Sequence, residues 1–247
     1  MTTDRGPDAS AHTDSGTPDF ANRSVAANSN APDAADLGPL PSALAQQFPE
    51  AVTQLEAYAR SLATDGVTRG LIGPREVPRI WERHIANCAA IEELIPRAAS
   101  VADIGSGAGL PGLVLAIVRP DISVTLVEPL LRRTTYLSEI VTELGLADRV
   151  QVLRGRAQEF HGKLHADVVT SRAVAALGDL AAWSWPLVAA GGSMVAMKGD
   201  SAGAEVDAAR PIFQRLGIAD SQAQVVVCSN SSSTATTVVI RHIDAPR

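Results

Sequence analysis

Cysteine is almost missing from these 247 residues; there are two, Cys88 and Cys228. Such a pair supports neither a disulfide framework nor a cysteine-based zinc site, and a reducing cytoplasm is the expected location. Lysine is equally scarce, with only Lys163 and Lys198. Three Trp, two Tyr and four Phe are too few for an aromatic stacking platform. No charged-then-apolar leader is read at the start, and no apolar run is long enough to span a bilayer. Positive charge is not in excess either. The net charge is −6 and the pI about 5.4, so no overall basic field steers the chain to a polyanion.

The negative charge is unevenly placed. Asp4, Asp8, Asp14, Asp19, Asp33 and Asp36 lie in residues 1–40 against Arg5 and Arg23. That stretch has almost no large apolar residues and cannot bury enough surface to offset the entropy of ordering, so 1–40 is expected to be a disordered acidic tail. Beyond it, Phe48, Val52, Leu55, Tyr58 and Leu62 recur at helical spacing. A second helix is expected from Pro74, with Val77, Ile80, Trp81, His84, Ile85 and Cys88 on its apolar side. Residues 41–98 thus form a helical N-terminal cap.

Residues 101–112, Val-Ala-Asp-Ile-Gly-Ser-Gly-Ala-Gly-Leu-Pro-Gly, are the most informative segment. A short strand carries Asp103 into Gly105, Gly107 and Gly109, and Pro111 follows where a helix should begin. A strand, a glycine turn and a helix N-terminus make a cradle for a small ligand. The dinucleotide fingerprint Gly-x-Gly-x-x-Gly fails here, because Leu110 occupies the third glycine position. The pattern instead resembles the first motif of S-adenosylmethionine (SAM)-dependent methyltransferases. Residues 122–128 read as a second buried strand ending in Glu128, 23 positions after Gly105, where a carboxylate can accept from both ribose hydroxyls.

From residue 100 strands and helices alternate, which argues a parallel doubly wound sheet. Strands are expected at 100–105, 122–128, 149–154, 166–171, 192–198, 223–229 and 235–242. Asn230-Ser231-Ser232-Ser233 is too short a link for a crossover, so the last strand should return antiparallel. The expected class is α/β, a Rossmann-like class I SAM-dependent methyltransferase sheet of seven strands occupying 99–247.

Val101–Leu113 followed by Arg119-Pro120 resembles the RsmG family, also called glucose-inhibited division protein B. The Leu-Pro-Gly extension is more specific than the glycines. Trp81-Glu82-Arg83-His84-Ile85, Arg132-Arg133, Ser171-Arg172-Ala173 and Met197-Lys198-Gly199 agree in order, so the resemblance spans roughly 45–242. It implies transfer of a methyl group from SAM to N7 of a guanine in 16S ribosomal RNA. The implied partner is that RNA or the small ribosomal subunit, with no DNA, membrane or metal. It also implies that Gly105 and Leu110 contact the methionine end of SAM, with Gly107 in the same turn. Ala157 and Gln158 would frame the adenine, and Arg172 would lie beside the cofactor. Gln158 stands where the family usually has an acid, which exchanges a charge-assisted hydrogen bond for a neutral one.

Guanine N7 carries an in-plane lone pair and needs no deprotonation, so orientation can supply most of the acceleration. Cys88 and Cys228 accordingly read as small core residues, and Trp183 and Trp185 as core. Arg172, at a strand's carboxyl end, can hold the SAM carboxylate, guanine O6 or a phosphate. Lys198 ends the next strand, where it can reach a phosphate or the base, or simply snorkel. His84 is either a hydrogen-bonded structural residue or a lining of the substrate pocket. Arg75, Arg79 and Arg83, spaced every four residues, would form one basic helix face. Two other classes stay open: a SAM methyltransferase of a small molecule or protein, and a non-catalytic SAM-binding, ribosome-associated module.

Overall fold

A computed structural model describes residues 34–242. The parts of the expected tail before residue 34, and residues 243–247, lie outside the described residues. Seven strands form one sheet: β1 Ser100–Ile104, β2 Ser123–Glu128, β3 Val150–Arg154, β4 Ala166–Arg172, β5 Val188–Lys198, β6 Ala223–Ser229 and β7 Thr234–Arg241. Their order is β3-β2-β1-β4-β5-β7-β6, and β7 alone runs against the others. The Asn230 side chain makes the reversal tight, accepting from the amides of Ser232 and Ser233 at 2.9 and 2.7 Å.

The central strands are apolar because both sheet faces are covered. Val101 pairs with Val124 on one side and Val168 on the other. Successive residues point to opposite faces. Val101, Val168 and Val195 join one core, and Ala102, Val169 and Ala196 join the other. Helices α4 Gly112–Val118 and α5 Leu131–Glu143 pack in the first core. Helices α6 Leu177–Ser184 and α7 Ala202–Arg215 pack in the second. Strand order reverses between β1 and β4, so the crevice at the strands' carboxyl ends opens there. One strand begins early. β5 starts at Val188 rather than 192, with a register break at Ala166/Val168 and Gly191 at φ +76°.

The N-terminal helices belong to the first core rather than to a separate body. α1 Ser42–Gln47 and α2 Val52–Ser61 replace one continuous helix, because Pro49 restarts the chain in a 3-10 turn at Pro49–Ala51. The expected α-helix from Pro74 is also irregular. A 3-10 stretch Pro74–Arg79 passes into a π stretch Ile80–Ala86 and a short α3, Asn87–Ala89. Pro78 lacks an amide donor, and its ring collides with the carbonyl four residues back, which disfavours α geometry. The spacing of Arg75, Arg79 and Arg83 therefore does not build a free basic face. Arg79 and Arg83 instead share Glu76, at 3.9 and 3.1 Å.

Packing starts ahead of Pro41. Leu37 and Leu40 lie against the core, and the Trp81 indole donates to the Gly38 carbonyl at 3.1 Å. A chain begun at residue 41 should therefore be less stable than one begun at residue 34. The loss should be about 1–2 kcal/mol for one hydrogen bond and two half-buried leucines, or about 2–8 °C in melting temperature by calorimetry.

Candidate functional site

The turn after β1 is shaped by three glycines at positive φ: Gly105 at +68°, Gly107 at +59° and Gly109 at +101°. Space as well as conformation demands the first. A Cβ on Gly105 would stand 2.7 Å from Val174 Cγ2. Behind the turn, Asp103 is fully buried, and its Oδ2 accepts from the Gly112 amide at 3.1 Å, the first amide of α4. The helix N-terminus is thus satisfied from β1, by a side chain nine positions away. Helix α2 clamps the same turn, since the fully buried Tyr58 hydroxyl donates to the Ala108 carbonyl at 2.9 Å.

Asp103 Oδ1 has no partner among the described residues. Burial pushes the Asp103 carboxyl from its ordinary 3.8 up to about 7, outweighing the Gly112 amide that favours the charged form. The folded chain then holds this proton more tightly than the unfolded one. The resulting cost is absent below pH 4, grows as pH rises, and is complete above pH 7. Relative to Asp103→Asn, the stability of the wild-type chain in urea titrations should therefore decline between pH 4 and 7.

Glu128 ends β2 and is also buried. Its Oε2 accepts from the Gly107 amide and its Oε1 from the Leu130 amide, both at 3.0 Å. The Arg133 guanidinium lies 3.6 Å from Oε2. An ionised carboxylate has about four lone-pair sites, so one on each oxygen remains for a ligand. The carboxylate lines a cavity of about 440 Å³ together with Gly105, Leu130, Arg133, Ala157, Gln158, Val174 and Trp183. That volume is within the range of about 300–1,000 Å³ usual for small-molecule sites. The glycine cradle, the fixed carboxylate and the apolar walls fit a nucleoside carrying a cationic amino-acid arm, as SAM does.

A second cavity, about 640 Å³, adjoins the first and shares Ala173 and Val174 with it. Arg83, Asn87, Arg172, Lys198 and Glu205 are among its walls. Ala173 adopts φ +55°, unusual for a residue with a side chain, where β4 ends and the chain turns between the cavities. Arg172 is anchored from the cap. Its Nη1 donates to Cys88 Sγ at 3.1 Å and to the His84 carbonyl at 3.4 Å, and its Nη2 donates to His84 Nδ1. Lys198 donates to the Ala175 carbonyl at 2.7 Å and pairs with Glu205 at 2.7 Å. Glu205 in turn accepts from the Leu177 amide at 3.1 Å. These bonds fix the loop between β4 and α6.

The structure thus distributes the sequence-derived residues. Gly105, Glu128, Ala157 and Gln158 line the first cavity, and Gly107 supports it through Glu128. Leu110 packs against the core and does not line it. Arg172 and Lys198 line the second cavity, while His84 sits behind Arg172, buried and lining neither. Sequence reading placed Trp183 in the core, against which it does pack partly buried, but did not foresee that it also walls the first cavity; Trp185 is buried and stacks on His242. It also missed Glu76 and Arg133. The Arg132-Arg133 pair following the acidic strand end was the available signal for the latter. Cys88 is buried as expected, and burial pushes its thiol up, but it also holds Arg172.

Among the described residues no cluster of His, Cys, Asp or Glu is arranged to hold a metal ion, and no helix is long and apolar enough to cross a membrane. The sequence profile of the family described as rRNA small subunit methyltransferase G (GidB) matches residues 51–234. The ribosomal RNA small subunit methyltransferase G of Thermobifida fusca is 56% identical over 203 residues, covering 81% of this chain and 84% of that protein. Its counterpart in Rhodococcus jostii is 52% identical over 210 residues, covering 83% and 90%. Among solved structures, a Corynebacterium glutamicum protein superposes with a TM-score of 0.52 at 19% identity, covering 83% of this chain and 97% of that one. An O-methyltransferase family protein from Burkholderia thailandensis gives 0.52 at 12% identity, covering 78% and 64%. At such identities the structural likeness speaks for the fold alone.

Proposed function

Because the chain belongs to the RsmG/GidB family of small-subunit ribosomal RNA methyltransferases, we propose that it methylates N7 of a guanine in 16S ribosomal RNA, with SAM as donor. The observation that carries this reading is the pair of adjoining cavities. One has a glycine cradle and a buried carboxylate with spare acceptor sites, and the other has a cationic wall. Bound in the first cavity, SAM supplies an electrophilic methyl group on sulfur. Glu128 accepts from the ribose hydroxyls there, and Ala157 and Gln158 border the adenine.

The second cavity takes the acceptor base. Guanine presents two acceptors side by side, N7 and O6, where cytosine presents an amine donor. Arg172 and Lys198 suit the acceptor edge. Arg172 has no hydrogen left to give at Nη1, but Nε–H and one Nη2–H lack protein acceptors among the described residues. Those groups hold O6 and leave the N7 lone pair free to attack. No proton leaves N7 in the transfer, so the site requires orientation and exclusion of water rather than a base. Arg83, exposed at the rim, contributes charge for a phosphate. The substrate is the RNA or the assembling small subunit, which sets the work in the cytoplasm.

Incubation with labelled SAM and small ribosomal subunits, followed by mass spectrometry of the nucleosides, tests the proposal. The expected product is 7-methylguanosine. A different methylated base would refute the N7 assignment. SAM binding without any transfer would instead support a non-catalytic module.

A further inference from the structure

We propose that Glu76 and His84 form a positioning pair that aims the Arg172 guanidinium into the second cavity, by holding the His84 proton on Nε2. The inference rests on the reading of that cavity as the acceptor site. It concerns how Arg172 is held rather than what Arg172 contacts.

The argument starts from donor chemistry. A guanidinium carries only N–H donors and stays charged, so any atom it meets within hydrogen-bond distance must accept. Arg172 Nη2 meets His84 Nδ1. That nitrogen must therefore carry a lone pair, and the single proton of a neutral imidazole must sit on Nε2. Glu76 Oε2 lies 3.0 Å from Nε2, where a carboxylate can only accept. The two contacts agree on one tautomer, and the carboxylate selects it.

The charged neighbours are consistent with a neutral ring. Arg172 from β4 and Arg83 from the same π stretch as His84 oppose a second proton, and Glu76 favours one. Burial adds the largest contribution, so the ring is pushed from its ordinary 6.5 down to about 4. His84 accordingly remains neutral throughout the working range of pH.

Three anchors on Arg172 come from His84 and Cys88 alone: a carbonyl, a ring nitrogen and a thiol. They engage both hydrogens of Nη1 and one of Nη2. Nε–H and the remaining Nη2–H are left as donors for the O6 carbonyl, which has two lone pairs to receive them. If the imidazole proton moved to Nδ1, two donors would face each other and the guanidinium would be displaced. Glu76 lies in the 3-10 stretch and His84 in the π stretch. They are eight positions apart, beyond the three- or four-residue spacing at which side chains pair on the α-helix expected from the sequence.

The experiment combines kinetics with nitrogen NMR on the full chain. Long-range 15N–1H spectra of the wild-type protein should show His84 with a bare Nδ1 and a protonated Nε2 from pH 5.5 to 8. Glu76→Ala should lower kcat about tenfold while the SAM dissociation constant stays within twofold. Glu76→Gln, whose amide oxygen still accepts from Nε2–H, should restore most of that loss. A wild-type kcat in Glu76→Ala, or a proton on Nδ1 in the wild-type spectrum, would overturn the proposal. The spectrum needs no variant, so it decides the tautomer even if Glu76→Ala does not fold. Failure of the methyltransferase reading would show separately, as a wild-type chain that transfers no methyl group.

Discussion

Replacing Glu128 by alanine should weaken SAM binding by about 30- to 1,000-fold in isothermal calorimetry, and should lower the melting temperature of the free protein as well. The first effect follows from losing two charge-assisted hydrogen bonds to ribose hydroxyls, together about 2–4 kcal/mol. The second follows from what the carboxylate already does without ligand. It satisfies the amides of Gly107 and Leu130, both at 3.0 Å. Buried amides without an acceptor cost about 1–3 kcal/mol each. Glu128→Gln should not rescue fully, because an amide has one acceptor oxygen where the carboxylate has two. Unchanged SAM affinity in Glu128→Ala would remove the cofactor from this cavity.

Arg172→Ala should lower methyl transfer about 10²–10³-fold, the loss typical when a fixed donor is removed from a reacting centre. Its signature should lie in kcat. Arg172 lines the second cavity and not the first, so the SAM dissociation constant should stay within about threefold. A large rise in that constant would instead assign the guanidinium to the SAM carboxylate. Cys88→Ser tests the anchoring from the other side. Serine still offers an acceptor to Nη1, so activity should remain within a few-fold of wild type, and a collapse would point to a chemical role for the thiol. Incorporation of labelled methyl groups measures each case.

The sheet was readable from the sequence because strands covered on both faces are rich in apolar and β-branched residues, and β1, β2 and β4 keep that character although Asp103, Thr125 and Thr170 interrupt it. The glycine turn was readable because only glycine suits three positive φ values in five residues. The helical segment at 74–89 was not. Its apolar spacing fits an α-helix, and the proline that forbids one lies inside that spacing. The setting of Arg172 was hidden for a different reason. Its partners lie 84 and 88 positions earlier in the chain, and no local pattern records a contact made by tertiary packing. That Trp183, packed against the second core, also walls a cavity was not readable, because a helix near a proline gives no sign of which side faces an opening.

The bond from Tyr58 to the Ala108 carbonyl has a thermodynamic counterpart. It joins α2 to the glycine turn, while Ser61 and Tyr136, 3.1 Å apart, join α2 to α5. Local opening of α2 must therefore release the turn, and a turn held by ligand must resist opening of α2. The two events form one linked equilibrium. At SAM concentrations a hundredfold above its dissociation constant, opening becomes harder by about 2.7 kcal/mol, if the open form does not bind. Amide protons of Val52–Ser61, remote in sequence from the glycine turn, should then exchange with deuterium about a hundredfold more slowly. Occupancy of the cofactor cavity would be legible as protection in a helix that does not line it.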